Sequence, residues 1–192
     1  DPKTDEIYMT WTQFDAYNSS EPQDSSFIHF SKSSDDGDTW TEPVRISIKG
    51  GDCLDGDDTV EGAMPALGKD GMLYVVWSGP HGLMLRSSAD RGQTWNPTEQ
   101  MLFKHEGGWT IDVPDFYRSN GLPVFISDHN TDSPYCGNLY LNWAIEDEET
   151  GRTSVLFSKS EDNGESWSSP VQVHEDSSKY NHFLTWMTVD PS

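Results

Sequence analysis

Ser33–Trp40 reads SSDDGDTW, Ser88–Trp95 reads SADRGQTW and Ser160–Trp167 reads SEDNGESW. All three fit one pattern, S-x-D-x-G-x-[ST]-W. Each follows a short strand-like run and precedes another. A second pattern keeps step with it. Y-x-x-W occurs at Tyr8/Trp11, Tyr74/Trp77 and Tyr140/Trp143, 66 residues apart each time. Self-similarity at a period of tens of residues marks solenoids, propellers or arrays. Within each octapeptide the acid (Asp35, Asp90 or Asp162) can accept backbone N–H bonds across a turn. The glycine (Gly37, Gly92 or Gly164) can take positive φ without a steric cost. The hydroxyl of Thr39, Thr94 or Ser166 adds a local bond, and Trp40, Trp95 or Trp167 anchors the turn. These residues read as folding staples.

Between the octapeptides the apolar runs are short, alternating and rich in β-branched and aromatic residues. Ile7–Thr12, Phe27–Phe30, Leu73–Trp77, Leu139–Trp143 and Val155–Phe157 are examples, bounded by Gly, Asp, Ser and Pro. That is the signature of strands. No stretch carries a 3.6-residue apolar period, so helix content is expected to be very low. Four strands make one repeat. Strand one is Met64–Gly68, Pro123–Ser127 and Phe183–Val189. Strand two carries Y-x-x-W. Strand three (Ser26–Ser31, Leu83–Ser87, Ser154–Ser158) runs into the octapeptide. Strand four (Pro43–Ser47, Glu99–Phe103, Pro170–Val173) leaves it. The expected fold is therefore all-β: a β-propeller of four-stranded antiparallel blades. Blade repeats lie near residues 1–48, 62–104 and 121–174, with 182–190 as the inner strand of a split blade. Propellers have four to eight blades, so about three blades imply part of a larger ring, expected to be six-bladed. Missing blades or a second copy would complete it.

Composition narrows the partners. Only 33% of the 192 residues are hydrophobic, yet 12% are aromatic and eight are Trp, so a few large rings must build the core. Twelve Lys and Arg face 33 acids, a formal charge of -21. Nucleic-acid binding and attraction to an anionic membrane are not expected, since both need a basic footprint. Cys53 and Cys136 sit in acid-rich, loop-like segments; one disulfide or two free thiols both fit the sequence. The chain opens at Asp1 and shows no signal-peptide pattern, which reads as a processed, trimmed or excised segment.

The octapeptide resembles the Asp box, or BNR repeat, of bacterial sialidases and related propellers, and the resemblance covers the whole chain. It implies a glycan or other carbohydrate partner and a setting outside the cytoplasm: secreted, periplasmic or cell-surface. It also implies a sialidase-like glycoside hydrolase acting on terminal acidic sugars, or a non-catalytic relative that binds glycan or protein. Such sialidases use three arginines on the substrate carboxylate, a tyrosine nucleophile helped by a glutamate, and an aspartate as acid and base. Thr59–Trp77 is similar to the sialidase stretch in which a Glu precedes an inner strand, and Glu61 falls near that place. Trp77 occupies a position where sialidases often carry Arg.

Of the five arginines, Arg118 lies in the F-Y-R-S-N-G-L-P loop before a strand one, the right context for a pocket. Glu61, Arg118 and Tyr117 are the candidate catalytic residues, with Trp109, Asp115 and Phe116 as candidate substrate contacts and Asp112 beside them. Trp186, inside an apolar run, is expected to seal blades together. No cofactor is required by this chemistry. Two acidic loops suggest calcium, which wants six to eight oxygens. One holds Asp52, Asp55, Asp57 and Asp58. The other holds Asp128, Asn130 and Asp132 at alternating spacing, though Ser133 stands where an EF-hand loop has Gly. The six histidines show no zinc spacing, and no phosphate loop or G-x-S-x-G turn occurs.

Overall fold

The computed structural model describes residues 1–105, 110–147, 149–175 and 180–190. Among them, eleven strands form three antiparallel sheets consistent with propeller blades, and the sheets do not close a ring. The first sheet is β1 (Ile7–Phe14), β2 (Ser26–Ser33) and β3 (Val44–Arg45). The second is β4 (Glu61–Leu67), β5 (Leu73–Gly79), β6 (Gly82–Ser88) and β7 (Gln100–Phe103). The third is β8 (Val124–Ser127), β9 (Leu139–Asp147), β10 (Arg152–Ser160) and β11 (Val171–Gln172). Helix is limited to one 3-10 turn at Lys69–Gly71 among the described residues. The strand order 2-3-4, 1-2-3-4, 1-2-3-4 follows the expectation. The last expected strand does not form: Phe183–Val189 belongs to no sheet. A strand needs an edge to pair with, and this segment lies across the inner strands without one.

The octapeptides close the hairpins between strands three and four. Asp90 accepts the Thr94 N–H at 2.7 Å and the Thr94 hydroxyl at 2.6 Å. Asp35 and Asp162 repeat the pattern with Thr39 and Ser166. These bonds hold all three carboxyls below the usual range, with Asp90 at about 2. Two consecutive residues take positive φ in each turn: Asp36 and Gly37, Arg91 and Gly92, Asn163 and Gly164. That is the backbone demand of a type I′ hairpin turn. The opening serine completes the device. The buried hydroxyls of Ser33, Ser88 and Ser160 each donate to the box acid and accept the N–H of the box glycine.

Every sheet is apolar on both faces, as strand alternation allows. From β5, Leu73, Val75 and Trp77 pack with Ile28, Phe30 and Ile46 of the first sheet. Tyr74 and Val76 pack the other way, with Phe125, Leu139, Leu141 and Trp143 of the third. The box Trp bolts its blade to the preceding one. Trp95 meets Phe30 edge-on at 5.1 Å, and Trp167 meets Phe103 edge-on at 6.3 Å. Such ring pairs add about 0.5–1.5 kcal/mol beyond the area they bury. Trp40 has no preceding blade and stays 40% exposed.

The glycines of the three boxes meet different surroundings. A Cβ on Gly92 would lie 2.4 Å from the Phe30 ring, one on Gly164 3.3 Å from Leu85, and one on Gly37 only 4.0 Å from Ile7. Replacing each by Ala should therefore give a graded loss of stability in urea unfolding. Gly37→Ala should cost about 1 kcal/mol, the left-handed backbone alone. Gly92→Ala should cost roughly 2–3 kcal/mol, because overpacking against the neighbouring blade is added. Equal losses would mean that the glycine serves only the turn.

Candidate functional site

Glu61 is the first residue of β4, and a register shift between Glu61 and Met64 bulges the strand there. Bulges re-aim side chains at sheet edges. Gly62 makes this one possible: its φ is +68°, and a Cβ would touch Leu122 at 3.0 Å. The 49–60 loop before Glu61 is held by local bonds. The Asp52 N–H donates to Asp58 O, the Leu54 N–H to Asp52 Oδ1, and the Thr59 hydroxyl to Gly56 O. The Asn18 N–H donates to Cys53 O, which ties the β1–β2 loop to it. The Thr110 N–H donates to Asp57 Oδ1 at 2.7 Å, which ties the β7–β8 loop to it as well. Three loops thus converge on one end of the inner strands.

Four side chains meet there. Arg118 lies 3.8 Å from Asp55, and the Tyr17 hydroxyl lies beside the same carboxylate. Glu61 is half-buried beside them. Burial pushes its carboxyl up, the Thr59 hydroxyl pulls it down, the Asp55 charge pushes it up and Arg118 pulls it down; the net direction is upward. The Asp55 carboxylate pushes the Tyr17 hydroxyl up. Just inside Glu61 lies a cavity of about 430 Å³, lined by Gly62, Met64, Leu122, Val124, Leu184 and Trp186. An apolar cleft with polar groups nearby is the ordinary plan of a small-ligand site.

Glu61 and Arg118 are therefore brought together, and Asp55 joins them from one of the acidic loops. Tyr117 is fully exposed, Asp115 takes a left-handed φ of 63°, and Phe116 turns its ring edge onto Phe183 at 5.0 Å. Trp109 lies outside the described residues. Trp186 is 77% exposed on the cavity wall, so it does not seal two blades here. Sequence reasoning missed Tyr17. Its only signal was an aromatic residue in an otherwise polar loop.

Three other arginines are fastened elsewhere. Arg45 donates to Ser47 O and Ile48 O while stacking over Phe27 at 3.4 Å. Arg86 donates to Asn96 O and to Ile46 O of the first sheet. Arg91 pairs with Asp1 at 2.8 Å. Trp77 is 1% exposed, locked in the contact between the first two sheets.

In the second acidic loop, Asp128 accepts the Asn130 N–H at 3.0 Å and the Ser133 hydroxyl, and Asn130 accepts the Asp132 N–H at 3.0 Å. This ladder of side-chain turns lies beyond the far end of β8 from Glu61. Among the described residues no group of three His, Cys, Asp or Glu side chains is gathered to hold a metal ion. Both cysteines are free thiols, Cys53 buried and Cys136 partly so.

Directly behind the site, His105 is buried between sheets two and three. Its Nε2–H donates to Ala144 O at 3.1 Å, and its Nδ1 accepts the Ser78 hydroxyl at 2.8 Å. Gly121 must be glycine for this contact, since a Cβ would sit 2.2 Å from Ala144 O. Burial holds His105 below the ordinary 6.5.

The fold is sialidase-like. A structure described as the Hadza microbial sialidase Hz136 superposes with a TM-score of 0.51 at 19% identity, over 83% of this chain and 34% of that one. The NanB sialidase from Streptococcus pneumoniae, solved with 2-[(3-chlorobenzyl)ammonio]ethanesulfonate, gives 0.49 at 16% identity, over 77% of this chain and 19% of that one. The chain thus spans about a third of the length of the first of these structures and about a fifth of the second. No protein-family profile matches it, and no curated protein does.

The His105 contact fixes a pH dependence. With the folded pKa depressed, the unfolded chain takes up its proton first, so stability is full above about pH 6.5 and is lost as pH falls below it. The urea midpoint should drop between about pH 7.5 and 5.5, and His105→Gln should remove most of that drop. An unchanged slope in the variant would assign the effect to other groups, with His29, also depressed by burial, first among them.

Proposed function

We propose that this chain is a segment of an Asp-box sialidase-like propeller that acts on glycans outside the cytoplasm, with the loop face around Glu61 as its working surface. The observation that carries this reading is the convergence of Glu61, Asp55, Arg118 and Tyr17 on one another, with a cavity that begins at Gly62, the next residue along β4. In the catalytic form, the substrate is a terminal acidic sugar. Arg118 grips its carboxylate. Glu61 takes the proton of a tyrosine hydroxyl as that oxygen attacks the anomeric carbon. Asp55, paired with Arg118 as a carboxylate, orients the guanidinium, and an aspartic acid from another part of the propeller gives a proton to the departing glycosidic oxygen. Water then attacks the anomeric carbon and hands a proton to the aspartate, while the departing tyrosine oxygen takes its own proton back from Glu61. Tyr117 and Tyr17 are the candidate tyrosines on this face; Tyr17, beside Asp55, suits positioning better than attack.

A non-catalytic propeller that binds glycan or protein is the second reading. Trp77 favours it, as a buried core ring where sialidases often carry Arg, and so does the commitment of Arg45, Arg86 and Arg91 to structural bonds.

Turnover of a fluorogenic sialoside separates the two. In the catalytic reading Glu61→Gln should lower kcat by roughly a hundredfold or more. Arg118→Ala should raise KM by about tenfold, the loss of one charged hydrogen-bonded contact. Absence of turnover, with glycan binding unchanged in Glu61→Gln, would sink the enzymatic assignment and leave the binding one.

A further inference from the structure

We infer that Ser119 is a positioning residue: its hydroxyl closes the neck of the loop that carries Arg118 and thereby fixes the guanidinium beside Asp55 and Glu61. The geometry stands by itself, while its consequence for glycans rests on the reading proposed above.

Residues 111–119 leave the body of the protein and return to it. Ile111, Val113 and Ser119 are buried, whereas residues 114–118 are exposed in one unbroken run. Two bonds close the neck of this excursion. The Ser119 hydroxyl donates to Ile111 O at 2.6 Å, and the Ile111 N–H donates to Ser119 O at 3.3 Å. Ser119 is 4% exposed and Ile111 3%. A carbonyl buried this far finds no water to replace a lost donor, so the neck opens when the hydroxyl is removed.

The two limbs of the loop are held differently. On the entering limb, the Thr110 N–H is fixed to Asp57 Oδ1 and the Asp112 N–H to Glu146 Oε2 at 3.0 Å. Carboxylates from two neighbouring elements, the 49–60 loop and β9, thus grip its backbone. The returning limb carries Arg118 and reaches its own seat at Gly121, against Ala144 O. Inside the loop the Phe116 N–H donates to Val113 O and folds the tip. Ser119 joins the returning limb to the gripped one, a single residue after Arg118.

That placement matters because the Arg118 side chain is 59% exposed and stands 3.8 Å from Asp55. An ion pair so open to water holds a long side chain weakly. The direction of the guanidinium therefore follows its backbone, and the backbone follows the neck. Arg118 in turn pulls the Glu61 carboxyl down. Ser119 carries no charge, so its effect on Glu61 runs through where Arg118 stands. A neck that merely stabilised the loop would leave that pull unchanged.

The carboxyl carbon of Glu61, followed by NMR through a pH titration, reads the place of Arg118. Ser119→Ala should move the Glu61 midpoint upward, the same direction as Arg118→Ala, because the charge that pulls it down is no longer held there. In the double variant the second substitution should add nothing further. An unmoved midpoint in Ser119→Ala, or a rise that adds in full to that of Arg118→Ala, would overturn the inference. Should Ser119→Ala fail to fold, Ser119→Cys keeps the shape with a weaker donor and is read in the same way. Sialoside turnover separates this inference from the reading it deepens. In a chain that turns over, Ser119→Ala should raise KM about threefold with kcat unchanged, and an unchanged KM would equally overturn it. A parent chain without turnover sinks the catalytic reading alone, and the Glu61 titration then decides the role of Ser119.

Discussion

The structure depends on sheets that are apolar on both sides. A blade of three or four short strands buries nothing by itself, so it is stable only between neighbours. Each aromatic position follows from this. The Y-x-x-W tyrosine and tryptophan lie three apart on a strand and so point to opposite faces, one toward each neighbour. The box tryptophan reaches back from the rim and meets Phe30 or Phe103 of the blade before it. The box glycine yields to the same ring, since any side chain on Gly92 would collide with Phe30. What looks like a turn motif is equally an interface motif.

The fold was legible in the sequence because its signals are local. Alternation, bounding glycines and a repeated acid mark strands and turns without reference to anything distant, and all eleven described strands lie where those signals put the runs or their flanks. The serine that opens each box was not legible. Its role appears only when the turn bends its buried hydroxyl onto both the acid and the glycine. Phe183–Val189 has every local mark of a strand, yet pairing is not a local property. Arg86 and Arg45 carried no sign that backbone carbonyls would hold them.

The candidate site was half legible. Glu61 and Arg118 were visible through the loop contexts they occupy. Tyr17 and the pairing of Asp55 with Arg118 were not, because they depend on the Asn18–Cys53 and Thr110–Asp57 bonds that draw three loops together. The resulting electrostatics are those of a lone guanidinium among carboxylates. Burial and the Asp55 charge push the Glu61 carboxyl up, while Arg118 pulls it down.

The connections add a temporal consequence. Every sheet is a meander, with each strand hydrogen-bonded to the next one in the chain. No blade waits for a distant segment to complete its ladder, and contacts of short sequence separation form fast. On the ribosome, a blade of this kind can zip up as its last strand leaves the exit tunnel, with the box turn as its seed. Its greasy faces then stay bare until the following blade emerges. The interval between successive blades, set by elongation speed, is therefore the period in which this polypeptide most needs a chaperone.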